Sequence, residues 1–330
     1  MANVAIRGNG IAASACAHLL NAAGFCVSHE SAERVAVPGI LLSPGTQKLI
    51  GDVFEREHLF DGSYGIESRI VAWGKTTKPL RVPHSAVVVS AHQLERIAPL
   101  PETAEPACHP DWTVLASRPL PLSTIEYGFG SRVAFVRTVR LKEGSDSAAC
   151  WIESLECGWL FLIPANANTG WLLSVGAADD TLLADSGLIA REIDSFDGAS
   201  GQFPAYPRIA DPLCGTGWLA CGSAALAFDP LCGDGTGNAV REAILAAAVI
   251  RAVAQGADCD GVLLHYRSRL VAGFAKHLGL CRQFYASGHG GPWWDAELES
   301  VDKGLEWCRR ELDKLPDLQY RLEGFELRRI

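Results

Sequence analysis

The sequence predicts an α/β fold in which a parallel-sheet unit is interrupted by an inserted antiparallel sheet and followed by a helical C-terminal region. Three observations carry this expectation. A glycine-punctuated strand, turn, helix and strand occupy residues 3–30. A second glycine-rich turn, "AFDPLCGDGTGNAVR" at 227–241, stands directly before a long alanine-rich helix. Between the two, short segments rich in β-branched and aromatic residues are separated by Gly, Asn or Asp, the pattern of antiparallel strands.

In the first unit, "VAIRG" is short and apolar enough for a buried parallel strand, and "GNGIAA" matches G-x-G-x-x-A. "SACAHLLNAAG" has helical spacing and ends on Gly24, and "FCVSHE" supplies the second strand. This is a Rossmann-like dinucleotide fingerprint. Gly8 allows the tight turn, Gly10 lets the backbone approach a pyrophosphate at the helix N-terminus, and Ala13 permits close helix–strand packing. Glu30, twenty residues past Gly10, stands where an acid bonds ribose hydroxyls.

In the second, a strand from Trp218 to Cys221 leads through Gly222 to Asp229-Pro230, the loop Gly233 to Gly237, and a helix from about Asn238. Such a loop aims N–H groups and a helix dipole at one spot, which suits an anionic or electron-accepting ligand atom. An ordinary loop before a core helix is the other reading.

Composition bounds the function. The 330 residues are 48% hydrophobic with 33 glycines, so the chain has ample material for packed cores and tight turns. A net charge of −9 argues against a general nucleic-acid or anionic-membrane binder, both of which need a basic face. The N-terminal segment resembles neither a secretory signal nor a membrane span, and a cytoplasmic protein is expected. No two of the 11 cysteines are four or fewer residues apart, so no CxxC zinc pair exists. Buried free thiols are expected, with Cys16, Cys150, Cys221 and Cys259 among small apolar neighbours. His84, His92, His265, His277 and His289 show no spaced metal set and read as hydrogen-bonded structural residues, so no metal is expected.

Residues 119–206 contain "RVAFVRTVRL", "ACWIESLEC", "GWLFLIPA" and "GWLLSVG", and "SRIVAWGKTTKPLRVPH" at 68–84 joins the same sheet. Residues 259–330 carry apolar stripes at three–four spacing and are expected to be helical. The proline-rich, acidic stretch 99–111 reads as a surface loop.

Together the two ends resemble the FAD-binding fold of flavin-dependent aromatic hydroxylases, the para-hydroxybenzoate-hydroxylase type, and within it the tryptophan-halogenase-like proteins. "GILLSPGTQKLI" at 39–50, "VSAHQLERI" at 89–97, "DWTVLASR" at 111–118 and "GWLFLIP" at 158–164 look like segments of that family, the last its G-W-x-W-x-I-P strand, so the resemblance spans most of the chain. It implies FAD as cofactor, with Asp229, Pro230, Gly233, Gly235, Thr236 and Gly237 against the isoalloxazine and Gly8, Gly10, Ala13 and Glu30 holding the adenosine half. It further implies a discontinuous FAD-binding domain (1–60, 85–118 and 207–258), a substrate-binding sheet (61–84 and 119–206) and the helical region 259–330. Three departures stand out: Ser223 replaces the family's ribityl-bonding aspartate, Ala91 a common arginine, and Leu115 an aspartate.

Halogenases of this family use a lysine and a second tryptophan in the W-x-W-x-I-P strand. Here Phe161 follows Trp159, and residues 64–74 hold no lysine, Lys75 and Lys78 coming later. The resemblance therefore implies an FAD-dependent monooxygenase acting through a flavin C4a-hydroperoxide on an electron-rich, indole-type ring. Trp159, Phe161 and Trp73 are the pocket candidates, and electrons come from a separate flavin reductase or a transient NAD(P)H visit. "WG" at 73–74 and "CWIES" at 150–154 also look like flavoproteins that mature tryptophylquinone cofactors by hydroxylating a tryptophan on a partner protein. Trp293-Trp294 would then belong to a docking surface or, alternatively, to the core. Two other readings stay open: a flavin-dependent halogenase, and an FAD-poor fold relative acting as a binding partner or chaperone.

Overall fold

A computed structural model describes residues 2–32, 39–75, 78–101 and 109–330. The chain begins with β1 (Asn3–Arg7), α1 (Ile11–Ala22) and β2 (Cys26–Glu30), the strands parallel and in a register that sets Arg7 opposite Glu30. Next come β3 (Ile40–Leu42) and α2 (Pro44–Phe54), whose first turn is fixed by Pro44 and by the Ser43 hydroxyl accepting from the Thr46 N–H. The long strands β4 (Tyr64–Ala72) and β5 (Leu80–Val89) precede α3 (Ala91–Ile97), which starts in a capping box between Ser90 and Gln93. Strand β6 (Trp112–Leu115) returns to lie parallel to β1.

The middle of the chain runs β7 (Ile125–Gly128), β8 (Val133–Leu141), β9 (Ala149–Leu155), β10 (Gly158–Pro164), β11 (Thr169–Gly176), α4 (Asp179–Asp185) and β12 (Ile193–Pro204). It is followed by the short strands β13 (Arg208–Asp211), β14 (Cys214–Gly215), β15 (Trp218–Ala220) and β16 (Leu226–Ala227). Helices α5 (Gly235–Ala254), α6 (Cys259–Ala286) and α7 (Pro292–Asp313) lead to a terminal hairpin of β17 (Tyr320–Glu323) and β18 (Glu326–Arg329). The helical expectation for 259–330 thus holds for α6 and α7 and fails for the hairpin. Most of the expected 99–111 surface loop lies outside the described residues.

Two sheets organise the molecule. The Rossmann-like sheet has the order β14-β15-β6-β1-β2, parallel except for β14, with α1 and α5 packed together over it. The larger sheet has the order β12-β8-β11-β10-β9-β4-β5-β3, antiparallel except where β4 runs parallel to β9. Strand β10 shows how the two meet. Trp159, Phe161 and Ile163 enter the main core shared with the Rossmann-like unit, whereas Leu160 and Leu162 enter a second core beneath α4. Side chains alternate across a strand, so a strand buried on both faces reads as one continuous apolar run, as "WLFLI" does. No helix among the described residues is long and apolar enough to cross a membrane.

Gly158 opens β10 at φ +152°, where an added Cβ would overlap the Val175 carbonyl oxygen. Gly158→Ala should therefore cost at least about 1–3 kcal/mol, read as a lower urea midpoint with unchanged m-value. A variant as stable as the parent would mean that Gly158 does not pack against the Val175 carbonyl.

Candidate functional site

The fingerprint residues form a bare helix start. Gly8 has φ +115°, and a Cβ there would lie 2.6 Å from the Ser117 Oγ, so the turn is pressed against the segment after β6. Gly10 caps α1 at φ +94° without any side-chain cap, and the first turn has no acidic residue. Ala13 is fully buried. The N–H groups of this turn are the kind that bind anions. A small, open cleft lies beside them, lined by Gly10, Ile11, Ile40, Ala91, Leu94, Glu95 and Ala98. Ala91 thus lines the cleft beside the fingerprint. Glu30 ends β2 as expected, but its carboxylate meets the Arg7 Nε at 2.7 Å, with both side chains more than half exposed.

The second loop is anchored inward. Asp229 is buried; its N–H donates to His277 Nε2 (2.8 Å), and its Oδ1 accepts from the Leu231 N–H (2.9 Å), capping a one-turn 3-10 helix over Pro230–Cys232. Asp229 Oδ2 accepts from the Tyr285 hydroxyl (2.9 Å) and lies 3.0 Å from Arg132 Nε. Arg132, fully buried, also pairs with Glu297, which in turn accepts from the Ser131 N–H and hydroxyl, and its guanidinium lies 4.5 Å from the Tyr285 ring centre. One guanidinium thus serves two carboxylates. Burial pushes the Asp229 carboxyl up against the opposing pull of Arg132, and burial with Arg132 nearby pushes His277 down to about 3, so its imidazole is neutral and accepts at Nε2.

Beyond Asp229 the loop turns through Gly233 (φ +66°) and Asp234 (φ +64°), and α5 begins at Gly235, three residues before the expected start. Asp234 accepts from the Thr46 hydroxyl and from Arg241 Nη1 (2.7 Å), which ties the loop to the "PGT" segment of α2. A Cβ on Gly237 would overlap the Asp234 side chain, so that glycine serves packing. Gly233 and Gly235 are exposed with no atom within 4 Å of an added Cβ, and Thr236 and Pro230 are half-buried beside them. The open surface is therefore Pro230, Gly233, Gly235 and Thr236, while Asp229 and Gly237 face inward.

Ser223 is exposed in the 3-10 turn Gly222–Ala224. Gly222 (φ +58°) presses on α1, since a Cβ there would lie 2.8 Å from the Ala12 Cβ. Its N–H donates to Glu242 Oε2 at 2.7 Å, and the other Glu242 oxygen is buried without a partner among the described residues. Burial raises this carboxyl well above the usual range, only partly offset by the Gly222 N–H.

The three pocket candidates lie close to this network. Trp159 is fully buried, and its Nε1 donates to the Tyr285 hydroxyl (3.2 Å), so it is joined to Asp229 through one residue. Phe161 shares its sheet face. Trp73 stands edge-on to Trp294 (5.5 Å between ring centres), whose Nε1 donates to the Leu155 carbonyl. Trp294 is core, and Trp293 packs partly buried beside it.

Sequence reasoning missed Arg132, Tyr285 and Glu297. A usable signal existed for Glu297, which falls one helical turn after Trp294 on the inward face of α7. It also missed a cluster: Cys232 Sγ lies 3.4 Å from Cys281 Sγ, itself 3.3 Å from His277 Nε2. His277 and Cys281 sit four apart on α6, but Cys232 reaches them only through the fold. Because the Nε2 lone pair already receives the Asp229 N–H, the group is a hydrogen-bonded cluster in this arrangement. Cys16, Cys150 and Cys221 are buried as expected, but Cys259 is half-buried at the start of α6. His265 is also a correction: it is buried with neither ring nitrogen partnered among the described residues.

No family model matches the chain, and no curated protein matches it. Known structures do. The peptidyl tryptophan dihydroxylase QhpG, essential for tryptophylquinone cofactor biogenesis, aligns over 89% of this chain and 78% of its own at 19% identity and TM-score 0.74. The flavin-dependent halogenase CmlS aligns over 99% and 84% at 15% identity and TM-score 0.79. The 2,6-dihydroxypyridine-3-hydroxylase from Arthrobacter nicotinovorans aligns over 88% and 94% at 15% identity and TM-score 0.65. At these identities the likeness establishes the fold, which this chain shares with flavin-dependent hydroxylases and halogenases.

Glu242 provides a test with a definite sign. Its carboxyl is harder to ionise in the folded chain than in the unfolded one, where the ordinary value of 4.5 applies, so the folded state holds the extra proton above that value. Stability contributed by this group is complete below the unfolded value and declines as pH rises. Glu242→Gln should therefore match the parent near pH 4 and gain on it steadily toward pH 8 in urea unfolding. A constant difference across that range would show that Glu242 does not hold its proton.

Proposed function

We propose that the chain is an FAD-dependent monooxygenase that hydroxylates an electron-rich aromatic ring of indole type. The observation that carries this reading is the pair of helix starts, α1 at Gly10 and α5 at Gly235, both without a side-chain cap, in a fold shared with flavin hydroxylases. The bare backbone at Gly10 and the cleft beside it fit a pyrophosphate, and the exposed Gly233 and Gly235 fit the close approach of a flat ring system. The cofactor-binding unit of this reading comprises 1–60, 85–118 and 207–258, with 61–84 and 119–206 as the substrate sheet.

In this arrangement Gly8, Gly10 and Ala13 hold the pyrophosphate end, and Glu30 takes the ribose once it exchanges its pair with Arg7. Pro230, Gly233, Gly235 and Thr236 form the surface for the ring, and Ser223 stands near the ribityl chain with a single hydroxyl. Bound FAD, when reduced, supplies the activation of dioxygen and the transfer of one oxygen atom. The protein supplies orientation and dryness: Trp159 and Phe161 form an apolar wall, and the Asp229–Arg132–Glu297 network fixes the loop.

A tryptophan carried on a partner protein is the substrate form favoured by the likeness to QhpG, itself named a peptidyl tryptophan dihydroxylase. Halogenation is less well supported, because Phe161 replaces the second tryptophan and Lys75 follows the strand instead of lying within it. In this reading electrons come from a separate flavin reductase or a transient visit by NAD(P)H, and the protein acts in the cytoplasm.

Gly10→Val should abolish most FAD uptake, measured as flavin absorbance per folded protein, by placing a branched side chain where the pyrophosphate approaches. Full occupancy in a folded variant would remove the fingerprint from the reading. For the reaction, turnover of an indole-bearing substrate in bromide buffer should yield a product heavier by one or two oxygen atoms. A bromine isotope pattern in the mass spectrum would instead favour the halogenase.

A further inference from the structure

The face of the large sheet that carries Trp159 and Phe161 also carries an arginine without a counter-charge. The neighbouring arginines are all paired: Arg81 with Asp146, Arg137 with Asp179, Arg140 with Asp197, and Arg132 with Asp229 and Glu297. Arg69, near the middle of β4, meets no carboxylate among the described residues. Its Nη2 lies 3.1 Å from His84 Nε2, its guanidinium carbon lies 5.5 Å from the Phe161 ring centre, and its Nε is buried without a hydrogen-bond partner among the described residues. The side chain as a whole is half-buried.

The groups around it do not neutralise it. The register places Cys150 of β9 and Val82 of β5 beside Arg69, and β10 contributes Phe161. His84 is held neutral, pushed down by burial and by Arg69 itself, and so accepts from the guanidinium without adding charge. Glu67, two residues earlier on β4, is exposed and makes no ion pair among the described residues. A half-buried guanidinium with one nitrogen out of water and no carboxylate beside it keeps the capacity to pair with an anion, and its planar fork matches a carboxylate.

We propose that Arg69, oriented by His84 and resting on Phe161, anchors a carboxylate carried by the aromatic substrate. The inference rests on the monooxygenase reading for the word substrate, since it places the charged group beside the wall formed by Trp159 and Phe161. The carboxylate belongs either to a free indole acid or to an acidic residue next to a peptide-borne tryptophan.

Calorimetric titration of the purified protein with indole-3-acetate and with neutral 3-methylindole tests the site, with FAD content recorded in parallel. Indole-3-acetate should bind at least about tenfold more tightly than 3-methylindole, the difference expected of one charge-assisted pair. Arg69→Gln should remove that preference while leaving FAD content and 3-methylindole binding unchanged, and Arg69→Lys should retain part of it. A Trp-Asp peptide blocked at both ends, compared with its Trp-Asn counterpart, identifies the source: a preference for Trp-Asp beyond that for indole-3-acetate assigns the peptide, and the reverse assigns the free acid. Equal binding of the two indoles, binding of neither, an undiminished preference in Arg69→Gln, or displacement by bromide as readily as by acetate would overturn the proposal. A preference that survives in protein unable to take up FAD would keep the anion site and discard the monooxygenase.

Discussion

The structure depends on one buried guanidinium. Arg132 enters the interior at the start of β8 and is met by Asp229 from the glycine loop and Glu297 from α7. Removing such a charge from water costs several kcal/mol, offset only when its donors are matched by acceptors. Burial opposes its charge, but Tyr285, Asp229 and Glu297 together hold it strongly protonated. Removing either carboxylate would leave part of the guanidinium's donor fork without an acceptor in the core, so the loop, α6 and α7 are bound to one another by a shared electrostatic requirement.

This requirement explains why the C-terminal helices are part of the site. Helix α6 delivers His277, Cys281 and Tyr285 to the underside of the Asp229 loop, and α7 delivers Glu297. The upper side of the loop is left with Gly233 and Gly235 exposed. A rigid support beneath and a bare backbone above is the division that positions main-chain donors without letting side chains intrude.

Much of this was legible in the sequence. The β1–α1–β2 unit could be read because local spacing, glycine placement and burial all follow from contiguous residues. The start of α5 could not be placed, because Gly235 and Gly237 read as loop residues. They are helical because Asp234, in a left-handed conformation and held by Thr46 and Arg241, turns the chain into the helix. The terminal hairpin was missed because "YRLEGFELRR" is largely charged and exposed, and lacks the apolar alternation of a half-buried strand. Arg132, Asp229 and Glu297 meet through three distant segments, and no periodicity announces a long-range ion pair. Arg69 was hidden differently, since a strand arginine reads as a solvated residue until its neighbours are known.

The strand order has a further consequence, for the birth of the chain. Strand β4 is completed by β9, and β6 by β15, so each sheet closes across long stretches of intervening sequence. The guanidinium of Arg132 waits longer still, until Glu297 has been synthesised. A nascent chain lacking its last helix would hold an uncovered apolar sheet and a guanidinium with only one of its two carboxylates, a state prone to association. Completion of the fold is thus coupled to completion of synthesis: the glycine loop acquires its support only after nearly all of the polypeptide exists.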